Sequence, residues 1–331
     1  MRFLVTGGLG NVGVSVIDEI NGRGHESIVF DLKNKKNKKR SRKLKNKFNK
    51  IVFGDICNYD NLADLVPDCD CIIHMAAVVP PLSEKNNNLC CSVNINGSKN
   101  VIDSINDKNH IKPIVYVSSS SVMGPTQSQN PPVTTSMEPK PVSIYSKSKL
   151  DAEILISDSK ARYCILRLAS VLDSGSDYSD DLLQLLFDFP LEARNELILD
   201  RDAATAIVTA GELLINGNSI DGRTFFIGGG RKNGFQVINN YFINEMFGAM
   251  GIGMLSEECF TKDLSKYAMD WYDTSESNDL LKYQNHSFND YINILEKRTL
   301  SGGPVIKYMA PRLKKSMEMQ SPYYNKQNGG E

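Results

Sequence analysis

The sequence predicts an α/β protein: a doubly wound parallel sheet with a small C-terminal substrate-side lobe. Three observations predict it. Short apolar runs alternate with helix-like stretches through the first half, as in successive βαβ units. Those runs are nearly continuous in apolar residues, which suits strands covered on both faces. The first run breaks directly into glycines and then into a helical pattern.

The elements follow in order. "FLVTG" opens as a strand, and "NVGVSVIDEI" places Val12, Val16 and Ile20 four apart, one face of a helix. "SIVFD" (27–31), "KIVFGD" (50–55), "CIIHMAA" (71–77), "IVYVSSSS" (114–121) and "YCILRLA" (163–169) read as five more strands. "LADLV", "VNINGSKNVIDSI" and "YSKSKLDAEILI" read as helices between them. The stretch 172–200 is acidic and helical in part, "TFFIGGG" (224–230) is a further strand, and 255–297 mixes polar with aromatic residues. The expected organisation is a cofactor-binding core with the catalytic residues over 1–170. A substrate-side lobe with strands returning to the core follows over 171–300, and a basic tail with a mobile end over 301–331.

Bulk properties narrow the class. The chain has 331 residues, 41% hydrophobic and 23% charged, enough to bury a sizeable core. No apolar run approaches the ~20 residues that span a bilayer. "MRFLVTGGLG" is no signal peptide, so a cytoplasmic protein without a membrane partner is expected. The 7 Cys and 4 His lack metal-site spacing, so reduced thiols and no metal are expected.

Between Lys33 and Lys50 stand 11 Lys or Arg in 18 residues, with no acid. The whole chain has a net charge of −1, so the remainder sums to −1 − 11 = −12. The run lies between the second and third strands, which predicts a surface helix pinned by Leu44 and Phe48. A nucleic-acid arm would more often be terminal or carry aromatics among its basic residues, so no nucleic-acid partner is expected. Lys33 lies within reach of a cofactor bound beside Asp31.

The motifs specify that cofactor. In "VTGGLGNVG", Gly7, Gly10 and Gly13 sit at a strand-to-helix turn, where the chain must bend sharply and approach a pyrophosphate. Asn11 and Val12 begin the helix whose amides face that phosphate. Asp31 lies 18 residues past Gly13, the place of a carboxylate for the adenosine ribose hydroxyls, and favours NAD over a 2′-phosphorylated cofactor. Asp55 and Ile56 in "GDI" lie on the adenine side. Met75, Ala76 and Ala77 let the cofactor lie close to the sheet edge. This is a Rossmann-type arrangement. Tyr145 and Lys149 share a helix face. A nearby ammonium lowers a phenol pKa by ~1–3 units, which suits Tyr145 to general acid/base work, with Lys149 holding the nicotinamide ribose. A Ser in "SSSSVMG" (118–124) steadies the reacting oxygen.

These motifs resemble the extended short-chain dehydrogenase/reductase superfamily, in its NAD-dependent epimerase/dehydratase branch. The resemblance covers about residues 1–230, with weaker echoes to 297, and rests on "TGGLGNVG", "FD", "GDI", "HMAA", "VNINGSKNV", "YVSSSSVMG", "YSKSK" and "RLASV". It implies Ser119, Tyr145 and Lys149 as the catalytic set. Ser119 is chosen because it lies three residues before Val122. It further implies that Asn94 positions the lysine, that Leu168 lies by the nicotinamide, and that a homodimer is possible. Departures narrow the reaction. Ser120 and Ser121 replace the Asp-Glu pair of sugar 4,6-dehydratases, and "SVLDSGS" replaces the Asn-x-x-Gly-Pro run common in nucleotide-sugar enzymes. Three functions stand open: a nucleotide-sugar epimerase, placed first; a dehydrogenase or reductase of another alcohol or ketone; and a non-enzymatic dinucleotide sensor.

Overall fold

The computed structural model describes residues 1–106, 111–175, 180–217, 219–301 and 304–324. Six strands come from the first half: β1 (Arg2–Thr6), β2 (Glu26–Asp31), β3 (Lys50–Phe53), β4 (Cys71–His74), β5 (Ile114–Ser119) and β6 (Tyr163–Leu168). β7 (Ser170–Leu172), β8 (Arg194–Leu199), β9 (Arg223–Ile227) and β10 (Gln236–Ile238) follow. Seven of them form one parallel sheet in the order β3-β2-β1-β4-β5-β6-β9. The order reverses between β1 and β4, and ligands of such sheets bind outside the strand ends at that reversal.

Side-chain alternation fixes the two faces. Phe3 and Val5 of β1 point into one core cluster with Val16, Ile20, Ala203 and Ala206. Those partners lie on helices α1 (Asn11–Gly22) and, late in the chain, Asp200–Ile215. Leu4, between them, packs with Ile28, Phe30, Val101, Ile105 and Ile156 on the other face. A second sheet, β10-β8-β7, is parallel between β7 and β8 and antiparallel between β8 and β10. Its core is aromatic, with Phe187, Phe235, Phe242, Phe247, Phe288 and Tyr291 buried together.

Several strands end sooner than expected. β3 stops at Phe53, β4 at His74, β5 at Ser119 and β9 at Ile227. The small residues beyond them leave the sheet to form the loops of its carboxyl edge, and Ser120–Met123 wind into a 3₁₀ turn. The basic run forms helix α2 (Lys35–Lys43), whose first turn is capped by the Asn34 side chain accepting from Asn37 N. The helix stops at Lys43, so Leu44 and Phe48 lie beyond it rather than on one helical face; both still pack against Leu9, Ile17 and Val29. The next principal helices are α3 (Gly97–Asn106), α4 (Ile144–Ser157) and α5 (Asp200–Ile215). The basic tail is helical over Pro304–Glu318. It docks on the second lobe, where Ser256 N donates to Glu318 at 2.9 Å and Ser321 Oγ donates to the Cys259 carbonyl at 2.7 Å. The chain end expected to be mobile, 325–331, lies outside the described residues.

Candidate active site

The glycine loop is packed so tightly that side chains are excluded. A Cβ on Gly7 (φ +71°) would stand 2.8 Å from Ala76 Cα, and one on Gly13 would stand 2.5 Å from the Gly7 carbonyl. Gly10, by contrast, has only the Gly7 carbonyl nearby, at 3.1 Å. Met75 and Ala76 bond back to Thr6 Oγ1 at 3.2 and 3.3 Å, which ties the β4 loop to β1. No side chain caps the N-terminus of α1, so its first-turn amides and dipole face outward, suited to an anion. Asn11 and Val12 begin that turn, and Ala77 continues the β4 loop half-buried.

Asp31 ends β2 beside this loop. One carboxylate oxygen accepts from Leu9 N at 2.8 Å, and the other from Leu32 N at 2.7 Å and Asn37 Nδ2 at 2.9 Å. A carboxylate has about four acceptor sites, so about one remains for a ribose hydroxyl. Burial raises the Asp31 carboxyl above its ordinary value, offset in part by these donors. The dinucleotide therefore fits: an uncapped helix end, a glycine-lined approach and an acceptor at the second strand. Other expected cofactor residues lie around it with different jobs. Lys33 is exposed, Asp55 accepts from Cys57 N at 2.9 Å, and Ile56 is buried against Gly97 with its carbonyl held by Asn100. Leu168 ends β6, 7% exposed.

Tyr145 and Lys149 lie on α4, which a Ser143/Ser146 capping box starts. Glu84 accepts from the backbone N–H of Tyr145 at 2.9 Å and of Ile144 at 3.1 Å, so the loop after Pro80-Pro81 holds this helix end. The Tyr145 phenol lies beside the Ser119 hydroxyl, whose influence is to lower its pKa. Ser119 is itself oriented by Ser121 Oγ at 2.8 Å and Ser121 N at 3.2 Å. Ser119, Tyr145 and Lys149 thus come together over the end of β5.

Lys149 is 2% exposed. Its ammonium donates to the Val117 carbonyl at 2.6 Å and lies 4.4 Å from the centre of the Tyr116 ring. Burial pushes it down to about 7, against the raising influence of Glu153 and Cys90. Burial likewise pushes Tyr145 up to about 12, only partly offset by Ser119. The expected lowering of the phenol by Lys149 is thus outweighed. The physical reason is that the ammonium is turned to Val117 and desolvated, so the phenol's own burial dominates.

Asn94 makes no direct hydrogen bond to Lys149. It bonds Val78 N at 2.7 Å, the Val78 carbonyl at 3.0 Å and Ser148 Oγ at 2.9 Å, which fixes the turn of α4 preceding the lysine. His74 is fully buried between Thr6 Oγ1 at 2.7 Å and Ser98 Oγ at 2.9 Å. Burial, then Lys149, pushes it down to about 3, so it is neutral structure.

Sequence reasoning missed four supports. Glu84 was hidden in a proline turn. Glu153 continues the Tyr145/Lys149 spacing by another four residues, a signal present in the sequence. It accepts from Ser118 Oγ and pairs with Arg167 at 2.7 Å, both side chains nearly dry. Asn37 and Arg40 of α2 reach back to the cofactor cradle, Arg40 donating to the Leu9 carbonyl at 2.7 Å and to Asn11 Oδ1 at 2.9 Å. Among the described residues no cluster of metal-ligating side chains occurs, and all seven cysteines are free.

Against known proteins, residues 4–171 match the 3-beta hydroxysteroid dehydrogenase/isomerase family. Protein y4nG of Sinorhizobium fredii is 32% identical over 190 residues, 56% of this chain and 44% of that protein. The 3-beta-hydroxysteroid dehydrogenase of Mycolicibacterium neoaurum is 25% identical over 250 residues, 69% of this chain and 66% of that protein. The chain thus spans less than two thirds of the length of either relative. The UDP-glucose-4-epimerase of Stenotrophomonas maltophila, solved with bound NAD, shares the fold with a TM-score of 0.73 at 19% identity. That match covers 92% of this chain and 99% of the other.

Proposed function

The chain belongs to the 3-beta hydroxysteroid dehydrogenase/isomerase family, a family of NAD-dependent oxidoreductases, and on that premise we propose that it interconverts a secondary alcohol and a ketone. The observation that carries this reading is the convergence of Ser119, Tyr145 and Lys149 over the end of β5, beside an uncapped helix and Asp31. NAD would lie along Gly7, Gly10, the first turn of α1 and Asp31, and supplies the hydride acceptor and a positive ring. Tyr145 takes the carbinol proton during oxidation and returns one during reduction. Ser119, held by Ser121, donates to the reacting oxygen. Lys149 holds positive charge behind the phenol, with Glu153 favouring its protonated form. Because burial favours the protonated phenol, alcohol oxidation speeds up as pH rises.

We favour a net dehydrogenase or reductase of an uncharged alcohol or ketone. Arg194, a cation on the substrate side, is spent on Asp270 at 2.6 Å and on the carbonyls of Gln127 and Gln129 at 3.0 Å, which leaves it no free fork for a diphosphate. The second reading, nucleotide-sugar epimerisation, uses the same three side chains and draws on the near-complete overlap in fold with the sugar-nucleotide epimerase.

The test is direct. Purified protein is assayed for bound NAD, then for NADH production with hydroxysteroids and small secondary alcohols, and for C4 inversion of UDP-sugars. Steady NADH production supports the first reading; inversion without NADH build-up rejects it for the second. Tyr145→Phe is expected to keep NAD binding while turnover falls at least 100-fold, the usual scale of general acid/base catalysis being about 10²–10⁴. Near-normal turnover in that variant rejects Tyr145 as the proton carrier.

A further inference from the structure

The reaction uses none of the exposed cations between Lys33 and Lys50, yet their helix is built into the cofactor crevice. α2 begins four residues after Asp31. Asn37 holds the Asp31 carboxylate, and Arg40 holds the glycine loop at Leu9 and Asn11. Arg40 and Lys43 also line, with Asn11, Ser15 and Asp200, a cleft of about 550 Å³ on the outer side of that loop.

Nine cations of the run, Lys33, Lys35, Lys36, Lys38, Lys39, Arg42, Lys43, Lys45 and Lys50, are exposed. Among the described residues none of the nine joins an ion pair, whereas Lys47 pairs with Asp18 at 2.7 Å. Lys35 and Lys39, Lys38 and Arg42, and Lys39 and Lys43 are like charges four apart, each pair working against the helix. Glu at alternate positions would relieve that repulsion on a merely solvated face, and no acid occurs in the run. The rest of the chain sums to −12, by −1 − 11, so an anionic ligand is repelled by the remainder of the protein and attracted only at this run. The cations stand on the helix that follows Asp31 at the carboxyl end of β2, beside the glycine loop.

We propose that the exposed face of α2 is an electrostatic collector that draws the dinucleotide diphosphate into the crevice from its adenosine end. The proposal rests on the cofactor reading above. Clefts rimmed by one sign of charge raise association rates by about 10–10³-fold, and salt removes the effect beyond a Debye length of about 10 Å at 0.1 M. A face of lysines without aromatics or amide groups gives attraction without base recognition, which suits a small mobile anion better than a nucleic acid.

The experiment follows NADH binding to the full-length protein by stopped-flow fluorescence. It compares wild type with a variant carrying Lys35→Gln, Lys36→Gln, Lys38→Gln, Lys39→Gln and Arg42→Gln. Gln matches Lys and Arg in helix propensity, so α2 is retained. At low salt the association rate is expected to fall roughly tenfold with the dissociation rate unchanged. The two proteins should converge near 0.5 M salt, and binding of uncharged adenosine should be equal in both. Equal association rates at low salt, with NADH binding intact, overturn the collector and leave the cofactor reading standing. Saturable binding of duplex DNA that the variant loses, with NADH rates unchanged, overturns it in favour of a nucleic-acid surface. Absence of NADH binding in wild type overturns the cofactor reading and the collector with it.

Discussion

At the scale of single residues, the site is built around a cation that its surroundings disfavour. Lys149 is buried, and its ammonium has a carbonyl and a ring for partners rather than a carboxylate in contact. The unfolded chain keeps lysine protonated to about pH 10.4, whereas burial brings Lys149 to about 7 in the folded protein. Between those values the unfolded state binds the extra proton, so stability rises as pH climbs and falls as pH drops towards 7. The slope from this one group is at most about 1.4 kcal/mol per pH unit. Urea unfolding at pH 7, 8 and 9 is therefore expected to show wild type gaining on Lys149→Met with each step. A constant difference between the two would reject a depressed Lys149. The tyrosine-lysine pair was legible in the sequence because i,i+4 spacing is a local rule. The charge balance was not, because it depends on desolvation and on where the ammonium points.

At the scale of elements, helix α4 is held by parts far apart in sequence. Glu84 takes the first two amides of α4, 60 and 61 residues away, and Asn94 fixes Ser148 one turn later. A carboxylate at a helix N-terminus satisfies orphan donors and complements the dipole. Glu84→Ala is expected to destabilise the protein by about 0.5–2 kcal/mol, with the loss in turnover exceeding the loss in cofactor affinity, because α4 carries Tyr145. Denaturant midpoints, kcat and NADH affinity together check this; a variant that loses only stability would make Glu84 a plain cap. Nothing local in "VVPPLSE" (78–84) names a cap for a helix that starts 60 residues later. The strands were legible for the opposite reason: alternation and apolar runs are local. Their ends were not, since the residues of "HMAA" and "SSSS" are as compatible with strand as with the turns that tertiary contacts impose.

At the scale of the whole molecule, the two halves of the chain complete one another. β9 pairs with β6 through Cys164–Leu168, and α5 covers the same face as α1, with Arg23 bonded to Glu212 at 2.6 Å and Ser15 to Asp200 at 2.7 Å. A fragment ending at residue 170 lacks both, so it leaves Phe3, Val5, Val16 and Leu166 uncovered. Such a fragment is expected to lose cooperative unfolding and to bind hydrophobic dyes, whereas the full chain melts with tightly packed tertiary structure. A cooperative urea transition in the fragment would show that the first half stands alone. The doubly wound core was readable from the alternation of strands and helices. The second lobe was less so, because its aromatic core draws on Phe187, Phe235, Phe242 and Phe288, scattered over a hundred residues without a repeating period.

The late arrival of β9 also has a consequence for synthesis. Six strands leave the ribosome before the seventh exists, and the helix that shields their apolar face comes between. At about 5–20 residues per second, the stretch from 171 to 227 takes on the order of 3–11 s to appear. Throughout that interval the nascent chain displays an unpaired β6 edge and an open apolar face. Slow translation between 171 and 227 is therefore expected to lengthen the period in which that face stands open.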